Sequence, residues 1–271
     1  MTRRLASACL LLAPALAPTL VSGQHCAPQS LAADPNRPTF TFPATTTQCG
    51  MFEADFGFTT QDMGQGVHQN YAPVSLRYGV TPRLDLRWGA VNHIWQTGNP
   101  TLQGAGDEYL GARYMFIAQS HRVPALGVFY QFKIPAANPA KGLGSGFADN
   151  LLTLLASKDL GKYHVDFNLD GTLAGAAHST SPAVQGDLAL TRALGKTTSV
   201  VLESFGGSQP ATPNRLGIAL LGATWSVRPW LVLDTAYDKT YTGTPGQPRQ
   251  QFLIGGTCTL RPPWRKPPPA K

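Results

Sequence analysis

The chain has 271 residues and 28 glycines, and only 14% of its residues are charged, against roughly 25% in ordinary soluble domains. Its formal charge is +7, but Arg3 and Arg4 stand in an N-terminal leader and Arg261, Arg265, Lys266 and Lys271 in the tail, so the body is near neutral and the basic balance gives no sign of nucleic acid as a partner. After the leader no apolar run is long enough for a transmembrane helix, which excludes helical membrane proteins and leaves β-barrels open.

The first residues, Met1-Thr2-Arg3-Arg4, precede LASACLLLAPALAPTLV and the small pair Ser22-Gly23. A basic start, a short apolar run and a small-residue end predict a signal peptide over residues 1–23, hence an exported chain. Residues 24–48 are proline-punctuated and lack periodicity, so they read as an irregular lead-in segment rather than a domain. In an exported protein Cys26 and Cys49 can pair and close that segment, leaving Cys258 over.

From residue 49 apolar and polar residues alternate, the period of a strand. Phe52, Ala54, Phe56 and Phe58 oppose Glu53, Asp55 and Gly57. Val74, Leu76, Tyr78 and Val80 oppose Ser75, Arg77 and Gly79; after Thr81-Pro82, Leu84, Leu86 and Trp88 oppose Asp85, Arg87 and Gly89. Proline pre-sets φ for a turn and lacks the N–H of a ladder, so these two runs make a tight antiparallel hairpin. Further runs lie at 110–116, 125–133, 149–157, 163–169, 184–193, 198–205, 216–226, 230–238 and 250–260. The run at 149–157 is apolar on both faces and could pass for a helix, but the turn Lys158–Gly161 into an alternating partner favours a strand.

Twelve strands result, with connections that alternate in length. Long loops are expected near 59–70, 92–106, 135–147, 171–182, 206–214 and 240–249, and short turns near 81–82, 118–122, 158–161, 194–197 and 227–229. An even strand number with short turns at one end and long loops at the other is the pattern of bacterial outer-membrane barrels. The expected fold is therefore all-β, an antiparallel up-and-down transmembrane β-barrel over residues 49–260 with both termini periplasmic, followed by a basic Pro-rich tail at 261–271. A secreted sandwich also hides one face of each strand, but gives no reason for loops sorted by length.

The segments LRYGVTPRLDLRWG (76–89), GAGDEYLGARYMF (104–116), VPALGVFYQFKIP (123–135) and GSGFADNLLTLLASKDLGKYHVDFNLDG (144–171) carry a resemblance. They resemble the strand signatures of the MetA-pathway of phenol degradation family of outer-membrane transporters, over about half of the exported chain. The resemblance implies a barrel of this size that passes hydrophobic or aromatic small molecules; it supplies no catalytic residues. The chain departs from the usual ending of outer-membrane proteins, a strand with a terminal aromatic, because Leu260 is followed by RPPWRKPPPAK.

If the apolar faces meet lipid, Glu53, Asp55, Arg77, Asp85, Arg87, Arg113, Lys133, Asp166, Glu203 and Asp234 face the lumen. Charges of both signs on neighbouring strands can pair and plug the interior, since an unpaired charge in a narrow lumen is costly. They can equally form a constriction that orients a solute. Catalysis needs a nucleophile, a histidine and an orienting group; His164 and Asp166 share a face, but no nucleophile motif accompanies them. No Cys or His spacing suggests a metal, GLGSG (142–146) lacks the lysine of a phosphate loop, and no cofactor is expected. Trp225 and Trp230, flanking one short turn, suit an interfacial belt. The function expected is a non-enzymatic outer-membrane channel or transporter for small, hydrophobic or aromatic molecules, with lipid and the barrel-assembly machinery as partners. The alternatives are an outer-membrane lipid-modifying enzyme and a secreted soluble β protein with an interaction role.

Overall fold

A computed structural model describes residue 26 and residues 31–210, 215–244 and 247–262. The expected signal peptide and all of the tail beyond residue 262 lie outside the described residues.

Thirteen strands occur among them: β1 (Phe52–Gly64), β2 (Val67–Thr81), β3 (Leu84–Thr97), β4 (Leu102–Gly104), β5 (Glu108–Ile117), β6 (Ala125–Ile134), β7 (Asp149–Leu160), β8 (Tyr163–Gly175), β9 (Thr180–Ala193), β10 (Thr198–Ser208), β11 (Arg215–Arg228), β12 (Leu231–Thr242) and β13 (Gln250–Leu260). β4 is a three-residue ribbon laid against β3 in a loop. The other twelve pair antiparallel in sequence order, and β1 pairs with β13, from Phe52↔Leu260 to Asp62↔Gln250. The twelve barrel strands thus close on themselves and leave no edge among them. Because Phe52 faces Leu260, the first and last barrel strands begin and end at the same rim, which is also the rim of the short turns.

The pleat sorts the side chains. Leu86, Leu110, Leu152, Phe167, Leu202 and Leu221 stand exposed on the outside, whereas Glu53, Arg77, Asp85, Arg113 and Asn168 are fully buried inside. This inverts the arrangement of a soluble domain, in which charge is outside and hydrocarbon within. Small apolar clusters do occur in the lumen: Ala189, Val201, Leu220, Ala236 and Leu253 on one wall, Ala125, Phe129 and Leu155 on the other.

The strands are longer than the alternation predicts, and several expected loops are strand instead. Most of 59–70 belongs to β1 and β2, joined by Gln65 and Gly66, both at positive φ (54° and 76°), as a two-residue hairpin turn requires. β8 and β9 likewise take up much of 171–182. In these extensions, such as TTQDMG of β1, polar residues occupy both faces, so the ladder continues where the period-two signal has faded. The β2–β3 turn falls one residue later than expected, at Pro82-Arg83.

Candidate functional site: a lumen closed by the N-terminal segment

The irregular segment before β1 lies inside the barrel. It starts at the short-turn rim, where Ala33 N–H donates to the Pro229 carbonyl (2.8 Å). Asp34 N–H donates to Glu53 Oε1 (2.8 Å), and Phe40 and Thr41 N–H donate to the Glu203 carboxylate deeper in the lumen (3.0 and 2.6 Å). The chain then returns along the opposite wall. Ala44 N–H donates to Ser157 Oγ (2.7 Å), Thr47 N–H to Asp85 Oδ2 (2.8 Å), and Gly50 N–H to the Gly79 carbonyl (2.6 Å) just before β1. Cys26 and Cys49 are joined by a disulfide at the base of this loop.

These contacts have one physical cause. A chain without ladder partners in a narrow lumen must find acceptors for its N–H groups, since each buried, unpaired one is costly. Pro35, Pro38 and Pro43 have no N–H to satisfy. For others, wall carboxylates and a wall hydroxyl serve as acceptors. Phe40 and Phe42 add apolar anchors on the two walls, against Phe205 (ring centroids 4.5 Å apart) and edge-on to Phe129 (5.1 Å).

The ten charged residues singled out from the sequence fall into two arginine clusters, a separate lysine, two carboxylates that hold the N-terminal segment, and Asp166. Arg77 lies between Glu53 (2.9 Å) and Asp55 (3.0 Å) and donates to the Asp34 carbonyl. Asp85 accepts from Arg113 (2.6 Å) and Arg87 (3.2 Å), Arg113 also donates to the Pro43 carbonyl, and the Arg87 guanidinium stacks over Phe42 and Phe129. Lys133 stands apart, nearer the long-loop rim, with Asp149 (2.6 Å) and Asp107 (3.6 Å). Glu203 and Asp234 hold the N-terminal segment, Asp234 through Arg37 (3.2 Å). Asp166 accepts from Ser157 and contacts His164 Nε2 (3.0 Å), whose Nδ1 meets Asp159. Ser157 therefore donates to a carboxylate, not to the imidazole. Among the described residues no group of three or more His, Cys, Asp or Glu is arranged to hold a metal.

Sequence reading missed Arg37, Thr41 and Thr47, whose roles depend on partners far away in the chain. It also missed Asp187 and Asp238, buried in the lumen wall. Their signal was available, because each stands next to outward residues (Leu188, Tyr237) in an alternating run.

Two lumen cavities flank the segment. One, of about 250 Å³, is lined by Phe42, Pro73, Arg87, Tyr109, Phe129 and Gln131, among others. The second, of about 230 Å³, lies toward the short-turn rim and is lined by Asp34, Pro43, His164, Asp166, Thr191 and Ser199, among others. Arg37 and Thr39 line both.

No family model matches the chain, and no curated protein matches it. Solved structures do. The COG4313 outer membrane channel from Pseudomonas putida F1 superposes with a TM-score of 0.63 at 16% identity, over 84% of this chain and 99% of that one. The NanC porin gives 0.56 at 9% identity, over 77% of this chain and 100% of that one, and the KdgM porin gives 0.53 at 9%, over 76% and 98%. The fold is that of outer-membrane β-barrels. At such identities the likeness concerns the path of the backbone, and the lumen side chains must be read from this chain itself.

Proposed function

We propose that this barrel is an outer-membrane channel or transporter for small molecules with hydrophobic or aromatic bodies. The observation that carries the reading is the cavity of about 250 Å³ inside the barrel, where Phe42, Phe129, Pro73 and Tyr109 offer apolar surface beside the Arg87 guanidinium. An exterior of exposed Leu, Phe, Tyr and Trp requires lipid around it, because that much continuous apolar surface is not tolerated in water. The likeness to solved channels and porins supports the same reading. So does the resemblance of the strand segments at 76–89, 104–116, 123–135 and 144–171 to the MetA-pathway family, which would imply hydrophobic or aromatic solutes. In this reading the leader directs export, the short-turn rim and both chain ends face the periplasm, and barrel-assembly machinery inserts the chain.

The test is entry of an apolar aromatic dye into cells whose lipopolysaccharide otherwise keeps such dyes out. Cells carrying the folded protein should take up the dye faster than cells without it, with entry of a disaccharide unchanged. Equal dye entry, in cells whose outer membranes demonstrably contain the folded barrel, and still equal when the side chains that fill its lumen are cut back to Ala, would sink the proposal.

A further inference from the structure

We propose that Arg37 is the latch between the two lumen cavities, so that the route through the barrel opens by release of this one side chain while the rest of the N-terminal segment stays in place. The inference rests on the channel reading above and adds where the route runs and what closes it.

Most of the segment is anchored in ways that resist ejection. Its two limbs bind buried carboxylates through backbone N–H groups, Phe40 and Phe42 are packed on opposite walls, and the Cys26–Cys49 bond closes the loop at its base. Arg37 is held differently. Its guanidinium meets Asp234 (3.2 Å) and the Ile254 carbonyl (3.3 Å) by side-chain contacts alone, and its side chain keeps 14% of its exposure. The pair is doubly bonded, Nε also donating to Asp234 Oδ2 (3.3 Å), but water reaches it on the guanidinium side, while Asp234 is buried in the wall. Arg37 and Thr39 are also the two residues common to both cavities. Thr39 is fixed within the segment, its Oγ1 donating to the Asn36 and Thr41 carbonyls, which leaves Arg37 as the movable part of the partition.

The wall carries a bed for this side chain. Gly57 of β1 and Gly255 of β13 face each other in register, and a Cβ on Gly57 would lie 2.7–2.8 Å from the Arg37 guanidinium atoms. Any other residue at 57 would push the guanidinium away from Asp234 without touching the charge of Arg37. That separates position from charge.

The experiment compares the full exported chain with Arg37→Ala and Gly57→Val in planar bilayers, each variant first shown to keep its heat-modifiable migration on a detergent gel. Both should raise single-channel conductance several-fold. Arg37→Ala should also shift the reversal potential toward cation preference, since it leaves the Asp234 carboxylate unpaired in the path. Dye entry is measured on the same variants in cells. If the unchanged protein admits dye but neither variant alters conductance or dye entry, the latch is overturned and the channel reading stands. If the unchanged protein and both variants neither conduct nor admit dye, the channel reading falls and the latch with it.

Discussion

At the scale of single residues, the interior is governed by the cost of leaving a charge alone. Arg77 is wholly buried, and Glu53 and Asp55 on the next strand neutralise it. Replacing Arg77 by Met keeps the volume but strands both carboxylates, which is expected to destabilise the barrel by about 3–5 kcal/mol. Guanidinium-induced unfolding in detergent micelles would measure it; a midpoint equal to that of the parent would show that the triad contributes no stability. Gly79 illustrates a different constraint. An added Cβ there would lie 2.2 Å from the Gln48 carbonyl oxygen and 2.5 Å from that of Thr47, both backbone atoms that a rotamer change cannot move. Gly79→Ala should therefore displace the base of the segment and break the Gly50–Gly79 bond, while the ladder of β2 persists. Amide exchange would report it, with Gly50 and Met51 losing protection and Arg77 keeping it.

At the scale of elements, the N-terminal segment behaves as a closed loop tucked into a finished wall. In the chain-entropy account, the Cys26–Cys49 crosslink contributes about 3 kcal/mol by limiting the freedom of the detached loop. Changing both cysteines to Ser is expected to let residues 31–48 detach from the lumen more often, with the strands intact. Limited proteolysis from the short-turn side is the check: cleavage within 31–48 in the double variant and none in the parent, at equal heat-modifiability. Equal resistance would mean that the backbone bonds to Glu203 and Asp85 suffice to hold the loop. The strands show how far an element can outrun its sequence pattern. β1 continues through TTQDMG because its ladder with β2 and β13 continues, although no apolar band is present there to impose alternation.

At the scale of the whole molecule, the stability of the closed sheet depends on the solvent around it. Leu221 lies near the middle of β11, outward and exposed, between Leu202 and Tyr237 on the adjacent strands. Leu221→Arg places a charge in the middle of the apolar band and is expected to cost about 2–4 kcal/mol in equilibrium unfolding from lipid vesicles. In a soluble sandwich the same exposed substitution would be nearly neutral, so an unchanged midpoint would argue against a membrane around this surface. Trp225 and Trp230 mark one edge of the band, next to the turn at Pro229, and Tyr241, near the end of β12, stands on the same outer face toward the other rim.

The sequence by itself determined the number of barrel strands, their antiparallel order, the tight turns at the Pro82 end and the face of each side chain within the alternating runs, but not the two-residue turn at Gln65-Gly66 on the opposite rim. Those properties are local: alternation at 74–80 and 84–88 and a proline between them suffice to make a hairpin, and repetition of such hairpins makes a barrel. It also placed Glu203 and Asp234 inside, from their position opposite Leu202 and Leu233 in the pleat. What those carboxylates hold was decided only by the tertiary structure. Residues 31–48 have no period, and their partners on the barrel wall lie as far as 217 residues away, at Ile254, and 227 away, at Thr259. No spacing along the chain records such contacts, because the lumen that brings them together exists only once β13 has closed on β1.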